Sequence, residues 1–149
     1  MVLARPSQGE ARFIEVYFVR VRPFAYLWAF PTTLLGLLFL PDSLLSGKIQ
    51  LVDGVLEAHG RLTRFYLTHC TFLRGGANAM TLGHVVIGRN SQVLNQTRAH
   101  ERVHVRQCER WGPLFIPAYL TMCLVAWARG LRAYEDNPFE REAFGNAPG

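Results

Sequence analysis

"RAHERVHVRQCERWG", Arg98–Gly112, decides how this chain is read. On a helical wheel of about 100° per residue, Arg98, Arg102, Arg106 and Arg110 share one arc, while His100, His104, Gln107 and Trp111 share the opposite one. The segment predicts one amphipathic helix, opened by Ser91 as its N-cap and ended by Gly112-Pro113. The arginine stripe reads as the solvated face, so the histidine stripe points inward.

A single inward histidine is ordinarily a hydrogen-bonded core residue. Two of them one turn apart differ, because both imidazoles reach one cation at about 2.0–2.1 Å, and Glu101 stands beside them to hold a water. The string His100-Glu101-Arg102-Val103-His104 is the zinc-hydrolase pattern His-Glu-x-x-His. A catalytic zinc takes three protein ligands and keeps one position open. Cys108 does not supply the third, since it lies roughly 12 Å from His100 along the axis; it reads as a small core residue. His59, His69 and His84 have no spacing that recommends them.

Outward from this helix the pattern alternates. Leu114–Ala128, "LFIPAYLTMCLVAWA", reads as a second helix, and the polar tail "AYEDNPFEREAFGNAPG" carries a short one opening near Pro138, with Asn137 as its cap. Arg141 and Glu142 read there as solvated charges. On the other side, Ala79–Gly88 reads as a strand, and "KIQLVDGVLEAHG" from Lys48 as two strands about the turn Asp53-Gly54. The stretch "FYLTHCTFL" fits either state. These elements predict an α+β fold.

Phe24–Leu40 has no charge over 17 residues, is interrupted by Pro31 and Gly36, and stops at Pro41-Asp42. That length is the lower limit for crossing a bilayer core of roughly 30 Å. A buried or interfacial helix, a spanning anchor and a cleaved signal stay open. Residues 1–22 read as a loose start, so the chain divides into an N-terminal segment, 1–47, with an apolar helix and a possible membrane anchor, and one domain, 48–149.

Composition narrows the partners. Half of the 149 residues are hydrophobic and 18% are charged, and the net charge of +5 is almost wholly arginine, Lys48 being the one lysine. A membrane surface is compatible with this balance. Nucleic acid is not expected, because no basic run is interleaved with aromatics. Three cysteines without paired spacing make a disulfide framework unexpected and favour a cytoplasmic or membrane-associated location.

With its His-Glu-x-x-His string and Glu140-Arg141-Glu142-Ala143 downstream, the active-site half resembles the gluzincin zinc metallopeptidases. The chain from about Asp53 to Phe144 is also similar to small uncharacterised bacterial proteins in which that string is followed by a Gln, a Gly-Pro-Leu-Phe stretch and Asn-Pro-Phe-Glu. The resemblance implies a minimal zincin-like domain with a small sheet, an active-site helix and a C-terminal ligand-bearing helix. It implies Zn²⁺ on His100, His104 and Glu140, Glu101 as general base, and a peptide or protein substrate laid along an edge strand, Thr81 to Ile87. Tyr134 and His84 are the candidates for stabilising an oxyanion, and Gln107 for orienting a ligand or for packing. Two other readings stand beside a peptide hydrolase: a zincin-like binding protein without turnover, and a small membrane-anchored protein whose polar helix joins two apolar ones.

Overall fold

The uncharged run from Phe24 does not form one helix. In the computed structural model, which describes residues 23–71, 73 and 75–146, it breaks into α1 (Pro23–Trp28), α2 (Phe30–Leu37) and α3 (Leu40–Ser46). Pro31 and Pro41 each sit in the first turn of their helix, where a missing N–H costs no helical bond. The expectation for residues 1–22 lies outside the described residues.

Asp53 and Gly54 both take positive φ, 49° and 77°, the backbone of a two-residue turn that matches the twist of paired strands. They join β1 (Lys48–Val52) to β2 (Val55–His59), antiparallel, with Val52 opposite Val55. The stretch that fitted either state is helical, in α4 (Arg61–His69), whose open N-terminus borrows the carboxylate of Asp42: Leu62 and Thr63 donate to it at 2.9 and 3.2 Å.

The single strand expected over Ala79–Gly88 is instead a hairpin of β3 (Ala79–Leu82) and β4 (Val85–Gly88). Gly83 makes the turn. Its φ is +64°, and a Cβ there would lie 2.6 Å from the backbone nitrogen of Thr33 on α2, so both conformation and space demand glycine. Because β4 pairs in parallel with β2, the sheet order is β1-β2-β4-β3. The edges are therefore β1 and β3, and β4 lies inside the sheet, so of the edge strand expected over Thr81 to Ile87 only Thr81 and Leu82 lie on an edge.

Alternation along β4 splits the core. Val85 and Ile87 face Leu67 of α4 with Leu37, Phe39 and Leu40, whereas Val86 faces Leu94 and Val105 of α5 (Ser91–Trp111). A third cluster, Ala29, Cys108, Phe115 and Phe139, ties the N-terminal helices to the C-terminal third, which comprises a tight turn at Gly112–Leu114, α6 (Phe115–Ala128) and α7 (Pro138–Asn146). Cys108 is thus the small core residue expected.

Two expectations for α5 are corrected. Its N-cap is Asn90, one residue earlier than Ser91: the Asn90 side chain accepts from Val93 N at 2.8 Å, while the Ser91 hydroxyl meets His59 Nε2 at 2.7 Å. The arginine stripe is solvated only at Arg106 and Arg110. Arg98 donates twice, at 2.8 Å each, to the buried Glu57 of β2, and Arg102 reaches the same carboxylate at 3.3 Å and Val52 O at 2.6 Å. A carboxylate on the inner face of a strand requires cationic partners, and these fix α5 across the first hairpin.

Candidate metal centre

His100 and His104 stack on the inward side of α5, with their Nε2 atoms 3.1 Å apart. The third donor comes from α7, whose start is set by Asn137: its Oδ1 caps Phe139 N at 3.0 Å and its Nδ2 donates to Tyr119 O at 3.2 Å. Held this way, Glu140 presents Oε2 3.1 Å from His100 Nε2 and Oε1 3.3 Å from His104 Nε2. The three side chains form a group at metal-binding distance. Ligands bonded at about 2.0–2.1 Å to a tetrahedral ion are separated by roughly 3.3 Å, so the observed spacings suit one cation.

Further polar contacts lock the donors. Gln107, fully buried, accepts from His104 Nδ1 at 2.8 Å and donates to Phe139 O and Glu142 Oε2 at 3.0 Å each. With Nδ1 carrying the proton, Nε2 of His104 keeps its lone pair for a ligand. Glu142 is accordingly engaged with α5 rather than a merely solvated charge. Tyr119 on α6 donates to Glu140 Oε1 at 2.6 Å. Glu101 is buried beside the group, and Thr81 of β3 donates to its Oε2 at 2.7 Å.

The electrostatics are those of crowded buried charge. Burial pushes Glu140 up, but the imidazoles of His100 and His104 outweigh it and hold the carboxyl at about 2. Burial pushes His104 down, and Glu140 more than reverses this. Burial dominates at Glu101 and raises it, opposed in part by His104 and Thr81. Burial, with Glu140 adding to it, raises the Tyr119 and Tyr134 phenols, so both remain protonated donors. Glu140 Oε2 is buried, and it faces His100 Nε2 at 3.1 Å without a well-formed hydrogen bond. A buried carboxylate whose two oxygens each face an imidazole nitrogen is what a cation would satisfy.

Of the other residues singled out, Tyr134 lies close enough to Glu140 and Glu101 to feel both charges. His84 stands elsewhere in its contacts, with Nε2 3.2 Å from Glu109 and its ring stacked 3.8 Å from that of Tyr26. Reading by residue pattern missed Tyr119 and the role of Thr81. The signal for Tyr119 was a phenol within an otherwise apolar helix, since a buried hydroxyl needs a partner. Thr81 gave none until β3 was placed against α5. No family model, curated protein or solved structure matches the chain.

Proposed function

We propose that the chain is a zinc-dependent peptide hydrolase of zincin-like layout, with His100, His104 and Glu140 as ligands and Glu101 as general base. The observation that carries this reading is the convergence of two Nε2 atoms, 3.1 Å apart, with the buried Glu140 carboxylate, whose Oε2 lies 3.1 Å from His100 Nε2 and whose Oε1 lies 3.3 Å from His104 Nε2. Zinc bound there supplies an activated water, its pKa lowered towards 7, and polarises a carbonyl. Gln107 holds His104 in the ligating tautomer, and Tyr119 fixes Glu140 Oε1. Glu101, oriented by Thr81, accepts the proton from the attacking water and returns it to the leaving amine nitrogen. The outer edge of β3, next to α5 and paired with no further strand among the described residues, offers backbone N–H and C=O groups to an extended peptide. Tyr134, a protonated phenol beside Glu140, is the residue we assign to the oxyanion.

The burial of His104 and Glu140 favours a second reading, a protein that holds metal without turnover. Metal analysis and one variant separate the two. Purified protein is expected to hold about one zinc per chain, lost in His100→Ala and in Glu140→Ala; full zinc in Glu140→Ala would remove that ligand. Glu101→Gln is expected to keep zinc and to abolish cleavage in a peptide library. Hydrolysis equal to the native protein ends the general-base assignment, and no cleavage by the zinc-loaded native protein selects the non-catalytic reading.

A further inference from the structure

Two uncharged stretches, Phe24–Leu40 and Trp111–Ala128, of 17 and 18 residues, meet where Trp28 covers Gly112. Their outward sides have no cover among the described residues. Phe24 is 84% exposed, Leu27 72%, Leu124 61% and Trp127 70%, so both helices hold large apolar side chains in solvent, which on a folded chain mark a contact site. α6 is apolar all round, yet only Phe115 and Ala126 in it are buried. A helix of that kind belongs in a protein core or in lipid. The helical run containing it, Ser91–Ala128, is long and apolar enough by composition to enter a membrane, and its apolar window is 17% buried.

Charge selects the occupant. Arg110 precedes Trp111 at one end of the stretch, and Arg129 follows Trp127 at the other. Tryptophan with a flanking cation is the arrangement that sits at headgroup level. A second copy of the chain would bring a net +5 against +5, whereas an anionic bilayer attracts it. We infer that the α1 and α6 surface docks the protein on an anionic lipid bilayer, with Leu124 and Trp127 entering the acyl boundary. This does not depend on the metal: it concerns a face built from other side chains.

The test uses the full chain and vesicles of equal parts phosphatidylglycerol and phosphatidylcholine, with pure phosphatidylcholine for comparison. The protein is expected to float with the anionic vesicles and to shift its tryptophan emission to the blue. Trp127→Glu and Leu124→Glu are each expected to lower the partition coefficient about tenfold or more. Gln92→Glu, the same charge change on an exposed position of α5, is expected to leave it within about twofold. Matched melting temperatures keep loss of folding apart from loss of binding. Failure of the native chain to float overturns the inference, as do variants that bind like it. A concentration-dependent dimer that Trp127→Glu breaks assigns the face to a second copy, and cross-links from residues 1–22 to α6 without flotation assign it to the chain's own N-terminal segment; either overturns bilayer docking.

Discussion

Replacing Gln107 by methionine separates what this residue does for the fold from what it does for a metal. The substitution nearly preserves volume and removes three hydrogen bonds at once. Phe139 O, buried in the α5–α7 contact, loses its 3.0 Å donor, and His104 Nδ1 loses its 2.8 Å acceptor; Glu142 still meets Arg110 at the rim. Unpaired buried groups cost about 1–3 kcal/mol each, so with two of them the metal-free protein should lose about 2–6 kcal/mol. For a domain of this size that is a fall of roughly 5–20 °C in melting temperature. Zinc affinity should fall about 10–100-fold, because nothing then fixes the His104 ring or its tautomer. Competition against a chromophoric chelator at fixed pH measures the second quantity, and thermal denaturation of the metal-free protein the first. Gln107→Glu provides the internal control: it keeps an acceptor for Nδ1 but faces Glu142, so affinity should return towards the native value while stability stays low. If the methionine variant melts early yet binds zinc within about twofold of native, Gln107 does not position the ligand.

Two more outcomes concern the frame around the site. Burial pushes Glu57 up, but the hydrogen bonds from Arg98 and Gln50 and the charges of Arg98 and Arg102 outweigh it and hold its carboxyl below the ordinary 4.5. A group depressed on folding stabilises fully above its unfolded value and ceases to do so as pH falls through the folded one, so the Glu57 contribution should fade below about pH 4.5. Glu57→Gln should cost about 2–3 kcal/mol at neutral pH, less than a fully buried pair because Arg98 is 31% exposed, and should flatten this acid limb in urea titrations; an unchanged limb places the acid sensitivity elsewhere. Gly112→Ala should cost about 2 kcal/mol or more by thermal denaturation, since φ is +56° and the added Cβ would sit 2.5 Å from the Trp28 ring. A melting temperature equal to native would mean that α1 does not rest on this turn.

How far the residues announce the structure depends on the range of the interaction. Period and spacing sufficed for α5, for the Asp53-Gly54 turn and for the pairing of His100 with His104, because each is settled within one or two turns of chain. Glu140 entered through a motif rather than through geometry. What brings it home is Asn137, tied to α6 and α7 together, and a contact of that kind leaves no periodic trace. Gly83 was passed over because an apolar run on both sides hid a two-residue turn. Arg98 and Arg102 were misread for the opposite reason: the wheel placed them away from the histidines, but the sheet lies on that side too, carrying Glu57.

The donors of the cluster come from α5 and α7, with all of α6 between them. A bond joining His104 to Glu140 through a shared ion would close a loop of about 36 residues, a cross-link that by chain entropy is worth about 4 kcal/mol. The last third of the chain would then be fastened by a clasp that any strong chelator undoes. Its resistance to proteolysis would follow the free zinc concentration around it, even in a molecule that never cuts a peptide.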